Sequence, residues 1–127
     1  MAGNLTNYLE NKLIDHFLGT TAYTSPAAVY VGLFTVAPSD AGGGTEVTGG
    51  SYARQAATFT SADSGATSND TNIDFTGMPA TTTVAIGIFD DATSGNMLLY
   101  GTLTTNKTTD AGDTLRIATG DLDISID

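Results

Sequence analysis

The sequence predicts a mainly β protein: a single antiparallel β-sandwich, either jelly-roll or immunoglobulin-like, with one amphipathic α-helix at its N-terminus. Three observations predict this fold class. Only the first part of the chain has apolar residues at helical spacing. Beyond it, short apolar runs alternate with turns rich in Gly, Ser and Asn, a spacing typical of sandwiches or barrels rather than of βαβ units. Threonine is abundant, and β-branched polar side chains suit half-exposed strands.

The helix is predicted over about residues 5–18, within an N-terminal segment 1–19. Asn4 or Thr6 can cap its N-terminus, and Gly19 supplies the residue that ends it. Two roles stay open for its apolar face. The face either packs on the protein's own sheet or docks onto a partner. As candidates for partner contact, this face presents Leu5, Tyr8, Leu9, Leu13 and Phe17.

Residues 27–127 are predicted to form the sandwich. Strands 27–36 and 84–89 are apolar on both faces, which indicates central strands buried on both sides. The shorter predicted strands are 52–60, 73–75, 97–103, 114–118 and 122–126. Strands 84–89 and 97–103 are expected to form a hairpin across the turn between them. Three polar or glycine-rich stretches, 40–51, 60–71 and 104–113, are predicted to be exposed loops.

Length and charge bound the classes of function. The chain of 127 residues is predicted to be a single domain, 1–127. Its net charge of −10 argues against binding nucleic acid or an anionic membrane surface, and it permits a basic protein partner. No cysteine is present for a disulfide or a thiol nucleophile. The start of the chain lacks the pattern of a secretory signal, so we expect synthesis in a cytoplasm without classical export.

No pattern in the sequence predicts catalysis, a cofactor or a metal site. His16 is the only histidine, and no nucleophile elbow accompanies it. Glu10 and Glu46 are the only glutamates, and no tryptophan is present to stack a sugar beside a carboxylate pair. The glycine-rich segment 40–45 lacks the Lys and Ser/Thr of a phosphate-binding loop. Segment 90–96 lacks the spacing of a calcium loop and is predicted to be a turn.

Two further groups of side chains are candidates for partner contact. The C-terminal run alternates, so that Asp121, Asp123 and Asp127 share one face of a strand. That face is either the solvated side of an edge strand or an acidic ridge that meets a basic partner. Arg54 is one of two arginines, and we expect it to form an ion pair or to cap carbonyls in a loop or a subunit contact.

Five segments together carry a resemblance to a known family. They are NYLENKLIDH at 7–16, YTSP at 23–26, VYVGLFT at 29–35 with Pro38 following, GSYARQ at 50–55 and IGIFD at 86–90. In this order they resemble a family of small structural proteins of tailed bacteriophages. Some members are labelled tail fibre or tail proteins, and others are capsid cement proteins. The resemblance covers nearly the whole chain, is strongest over 7–54, and brings no catalytic residue with it.

The resemblance implies a virion protein made in the bacterial cytoplasm. It favours a capsid decoration or cement protein on the capsid exterior, which binds the major capsid protein and bridges neighbouring capsomers. Such a protein is expected to be a homo-oligomer, with a trimer favoured by shell symmetry. The alternative is a tail component, associated with a fibre or the tail end. A carbohydrate-binding module also stays open, if two of the tyrosines at 23, 30, 52 and 100 are exposed together.

Overall fold

A computed structural model describes residues 4–126 of the chain. The structure is 48% strand and 9% helix, and every strand pair is antiparallel. In chain order the elements are β1 Asn4–Leu5, α1 Asn7–Phe17, β2 Val29–Val36, β3 Thr45–Glu46, β4 Gln55–Ala57, β5 Ala66–Ser68, β6 Ile73–Met78, β7 Thr81–Phe89, β8 Met97–Thr109, β9 Asp113–Ile117 and β10 Asp123–Ser125. The predicted fold class, mainly β with one short N-terminal helix, is confirmed.

The largest sheet has six strands in the order β1-β8-β7-β2-β3, and β4 also pairs with β2. Strand β3 pairs with one end of β2, at Phe34, and β4 pairs with the other end, at Tyr30. Strands β3 and β4 therefore share one edge of β2, while β7 takes the opposite edge. The two strands predicted to be central, β2 and β7, are neighbours inside this sheet, and four of the eight residues of β2 and six of the nine residues of β7 are buried.

The main core lies on one face of the large sheet, against two small sheets formed by β6 with β9 and β5 with β10. The alternation of side chains along β2 and β7 sends every second residue to this core. The packing is sandwich-like. From the large sheet the core takes Val31, Leu33, Ile86 and Ile88, and from the opposite layer it takes Ile73, Phe75, Met78, Leu115, Leu122 and Ile124.

The helix begins two residues later than predicted, and Leu5 is not part of it. Leu5 lies in β1, opposite Leu99 of β8. The backbone N–H of Thr6 donates to the Leu98 carbonyl at 2.9 Å, so the chain is held as an edge strand up to that point. Thr6 is then the N-cap, because its hydroxyl accepts from the Leu9 N–H at 3.3 Å. Pairing with β8 therefore overrides the helical spacing of Leu5.

Three stretches predicted to be loops contain strands. Strand β3 lies within 40–51, and β5 lies within 60–71. Strand β8 extends to Thr109, so its last six residues lie within 104–113. The far half of β8 is exposed and polar, so it has no apolar alternation to reveal it. Its threonines instead pair across to β7, as the hydroxyls of Thr82 and Thr108 do at 3.0 Å.

The last two predicted strands do not pair with each other. Strand β9 pairs with β6, and β10 pairs with β5. The hairpin predicted between 84–89 and 97–103 is present as β7 and β8, with Ile88 opposite Leu99. Its turn is closed by Asp90, whose carboxylate accepts hydrogen bonds from the backbone N–H of Asn96 at 2.7 Å and from its side-chain amide at 3.0 Å.

The loop between β2 and β3 offers a matched pair of glycines. Gly43 and Gly44 have nearly equal positive φ angles, +76° and +73°. A Cβ at Gly43 meets nothing within 4 Å, whereas a Cβ at Gly44 lies 2.6 Å from the Val36 carbonyl oxygen. We expect Gly43→Ala to cost about 1 kcal/mol through its left-handed backbone. Gly44→Ala should cost about 1–3 kcal/mol more, because the backbone must also move. Urea denaturation of both variants measures the difference, and equal losses would contradict this close approach.

Candidate functional site

The apolar face of α1 is only partly covered. Leu9 is buried, and Tyr8 and Leu13 are half-buried. The far end of the stripe does not pack on the protein's own sheet, since Phe17 is 75% exposed. Ile14 and Leu18 are also exposed, at 56% and 78%. We call Ile14, Phe17 and Leu18 the helix tip.

The helix tip is exposed because the chain fixes α1 mainly at its start. The Asn7 N–H donates to the Asp40 carbonyl at 2.9 Å, beside the bonds that tie Thr6 to β8. At the other end the helix stops as predicted, with Gly19 at φ +85° and the Thr20 N–H bonded to the Asp15 carbonyl at 3.0 Å. Neighbouring exposed apolar side chains mark contact surfaces in folded proteins. The helix tip is therefore one candidate surface for a partner.

A cleft of about 520 Å³ lies next to the helix. Four parts of the chain line it: α1, the irregular segment before β2, the start of β2, and the turn between β7 and β8. We call it the tyrosine cleft, because three tyrosines line it. The lining residues used below are Tyr8, Tyr23, Tyr30, Asp90, Asp91 and Asn96. Sequence reasoning singled out Tyr23 and Tyr30 but had no means of placing them together.

The position of Tyr23 in the cleft is held from the helix. Its backbone N–H donates to Nδ1 of His16 at 3.0 Å. Partial burial, with the nearby Tyr8 and the negative charge of Asp90, raises the pKa of the Tyr23 hydroxyl above its ordinary value. The Tyr23 side chain is therefore a neutral phenol at physiological pH, able to donate and accept hydrogen bonds.

Arg54 is the centre of a polar cluster that joins three parts of the fold. Its Nε and Nη2 donate to the two carboxylate oxygens of Glu46, at 3.0 Å and 2.9 Å. Its Nη1 donates to the carbonyls of Asp91 and Ser94, at 3.1 Å and 2.7 Å. The guanidinium carbon lies 3.4 Å from the centre of the Phe89 ring. The expected ion pair and carbonyl caps are both present, and they tie β3 to the turn between β7 and β8.

Tyr52 extends the same cluster into the core. Its hydroxyl accepts from the Leu33 N–H at 2.8 Å and donates to Glu46 at 2.8 Å. Burial raises the pKa of Tyr52 far above its usual range, so the hydroxyl keeps its proton and can serve both partners. The Arg54 side chain is only 11% exposed. Within the chain, Arg54 therefore supports the wall of the tyrosine cleft; its role in partner contact stays a prediction.

The C-terminal strand has the predicted two-faced character. Leu122 and Ile124 are buried, whereas Asp121 and Asp123 are exposed. Asp127, the third member of the predicted acidic ridge, lies outside the described residues. Strand β10 pairs with β5 and with no other named strand among residues 4–126, so both readings of the acidic face stay open.

Residues 4–126 contain no cluster of three or more side chains suited to hold a metal ion. No helix in the same range is long and apolar enough to cross a membrane.

The exposed features described above, an apolar helix tip, an acidic strand and an aromatic cleft, are suited to contact with partners or ligands. The family model described as Podophage GP4 fiber I protein gp80 matches residues 4–125. The chain belongs to this family, and it is therefore a virion structural protein of a tailed phage. The resemblance read from the sequence is confirmed at that level. No curated protein matches the chain.

Proposed function

We propose that the chain is a fibre component of the phage virion and that it is held to another virion protein by the helix tip. The observation that carries this proposal is the family match over residues 4–125, because the family takes its description from a phage fibre protein. The resemblance alone favoured a capsid decoration protein. The family description favours the tail-component alternative instead.

The surfaces of the molecule support a role based on contact. The helix tip exposes three large apolar side chains at the C-terminal end of α1. Burial of such side chains against a partner lowers the free energy of the complex, because apolar surface leaves water. The net charge of −10 favours a partner with basic groups around the apolar contact. We propose a neighbouring virion protein of that character, and a role that involves no catalysis. The major capsid protein and a homotrimer remain predictions of the decoration alternative.

Copy number in purified virions tests the assignment. Quantitative mass spectrometry should find the chain at a small fraction of the abundance of the major capsid protein. Hundreds of copies, near-stoichiometric with the shell, would overturn the fibre role and support the decoration protein. Complete absence from purified virions would overturn both.

The helix tip gives a second, independent prediction. Phe17→Ser should reduce incorporation of the chain into virions by about tenfold, as loss of one apolar anchor at an interface does. Its free energy of unfolding should change by less than about 0.5 kcal/mol, because the side chain is exposed. A phage lacking the gene, complemented with each variant, allows incorporation to be measured.

The matched control for this experiment is Ile126→Ser. Ile126 is also a large exposed apolar residue, at 51%, but it lies at the opposite end of the chain. The Ile126→Ser variant should be incorporated into virions as well as the unaltered protein. Equal incorporation of both variants would show that the helix tip is not the attachment surface.

A further inference from the structure

The tyrosine cleft has the chemistry of a sugar site. We propose that it binds a saccharide without acidic groups, between the rings of Tyr23 and Tyr30 and the carboxylates of the turn between β7 and β8. Its volume of about 520 Å³ lies within the range of roughly 300–1,000 Å³ that is common for small-molecule sites. The inference goes beyond the fibre assignment and does not depend on where in the virion the chain is located.

The aromatic part of the site comes from three separate segments of the chain. Tyr8, Tyr23 and Tyr30 all line the cleft, and each is half-buried, so each keeps part of its surface open. Aromatic rings offer a rigid apolar face to the C–H surface of a sugar ring. The Lys12 ammonium already lies 5.6 Å from the centre of the Tyr8 ring. We therefore assign Tyr23 and Tyr30 as the stacking platforms.

The polar part of the site matches the hydroxyl groups of a sugar. Among residues 4–126, no protein group forms a hydrogen bond with the hydroxyl of Tyr8, Tyr23 or Tyr30. These three phenols can each donate to and accept from a ligand hydroxyl. Asp90 is oriented by its two hydrogen bonds from Asn96, and a carboxylate oxygen has lone pairs left for a further donor.

The charge of the cleft selects against acidic sugars. Of the described residues that line it, two are aspartates and none is Lys, Arg or His, and the Lys12 ammonium near the Tyr8 ring brings one positive charge against their two negative charges. A carboxylate in the wall of a binding site repels a uronic acid, a sialic acid or a phosphate bound there. Aromatic rings beside carboxylates also suit an ammonium group. The three unbonded phenol hydroxyls favour a saccharide, because a quaternary ammonium forms no hydrogen bonds with them.

Hydrogen bonds within the chain hold the walls of the cleft. His16 holds the backbone of Tyr23, and Arg54 holds the turn that carries Asp91 through two backbone carbonyls. Tyr30 is part of the central strand β2. A site with fixed walls loses little conformational entropy on binding, which favours affinity for a small ligand.

A glycan array tests the proposal with the full 127-residue chain. The array carries neutral hexose and N-acetylhexosamine oligosaccharides beside their uronic acid and sialylated counterparts, with immobilised choline as a cationic probe. We expect binding to neutral saccharides and none to the acidic ones. The dissociation constant of the strongest neutral binder is then measured by calorimetry. Tyr23→Ala and Tyr30→Ala should each weaken it by about tenfold through loss of a stacking ring.

Tyr100→Ala is the matched control. Tyr100 is also a half-buried tyrosine, but it lies outside the cleft and its hydroxyl is bonded to Asp40. The Tyr100→Ala variant should bind saccharide with the same affinity as the unaltered chain. Thermal unfolding of every variant shows whether it is folded. If Tyr23→Ala is unfolded, Tyr23→Phe replaces it in the test. Because Tyr23→Phe keeps the aromatic ring and loses only the hydroxyl, it should lose less affinity than Tyr30→Ala. Any of four results overturns the proposal: no neutral saccharide bound, acidic saccharides bound equally, choline bound alone, or saccharide affinity unchanged in the Tyr23 and Tyr30 variants.

Discussion

Asn69→Asp is expected to destabilise the protein by about 4 kcal/mol, because it places a carboxylate against buried carbonyls. Asn69 is 1% exposed, and all four hydrogen-bonding positions of its amide are used. Its Oδ1 accepts from the N–H groups of Gly120 and Leu122, at 3.1 Å and 2.9 Å. Its Nδ2 donates to the carbonyls of Thr71 and Ala118, at 2.8 Å and 3.0 Å. An ionised aspartate keeps the first pair of bonds and loses both donors of the second pair.

Asn72 supplies a control in the same region. Its Oδ1 accepts from the backbone N–H and the hydroxyl of Thr119, at 2.9 Å and 3.2 Å, and the side chain is exposed. Asn72→Asp keeps an acceptor at this position, so its unfolding free energy should change by less than about 0.5 kcal/mol. Urea denaturation followed by circular dichroism measures both variants. Similar losses in the two would show that the buried amide network does not hold the 118–122 turn in place.

Arg54→Ala is expected to cost about 3 kcal/mol of stability, since it removes the charged partner of Glu46, which then keeps only the bond from the Tyr52 hydroxyl, and it frees two backbone carbonyls. It also removes the guanidinium from the Phe89 ring. Arg54→Lys should recover only part of this loss. A lysine ammonium cannot bond both carboxylate oxygens in a planar fork and lie flat on a ring at the same time.

The other arginine provides the comparison. Arg116 also forms a bidentate pair, with Asp74, at 2.7 Å and 3.0 Å, but its side chain is 57% exposed. Arg116→Ala should cost less than about 1 kcal/mol, because water solvates both charges when the pair is broken. If chemical denaturation gave the two alanine variants the same stability, burial of the Arg54 pair would have no energetic consequence.

The pH response of the exposed pair has a definite sign. Arg116 holds the pKa of the Asp74 carboxyl below its ordinary value in the folded chain. The stability that this pair adds is therefore present above the ordinary pKa of an aspartate, and it is lost as the pH falls through the lowered value. Because the pair is exposed, salt should also weaken its contribution.

Local chemistry was sufficient to predict several elements. Apolar residues on both faces of a run have few alternatives to a buried central strand, and β2 and β7 are such strands. The caps of α1 were also predictable, because Thr6 and Gly19 satisfy backbone groups within a few residues of themselves. The hairpin of β7 and β8 follows from a short turn between two apolar runs.

The remaining elements depend on residues far apart in the sequence. Strand β5 is polar, and pairing with the distant β10, not side-chain periodicity, makes it a strand. The far half of β8 is also polar, and it is a strand because it continues the pairing with β7. Leu5 has helical spacing, yet β8 recruits it as an edge strand. The amide of Asn69 is indistinguishable in sequence from that of a loop asparagine, and only its distant partners across 118–122 reveal its role.

The sequence by itself determined the mainly β class, the helix with its caps, the two central strands and the membership of a phage structural family. These follow from short-range spacing, from capping and from recognisable segments of the chain. Tertiary structure alone decided the strand order, the exposure of the helix tip, the burial of Arg54 and the tyrosine cleft. The physical reason is that each of these is set by contacts between segments tens of residues apart, and sequence pattern carries no record of which segments meet.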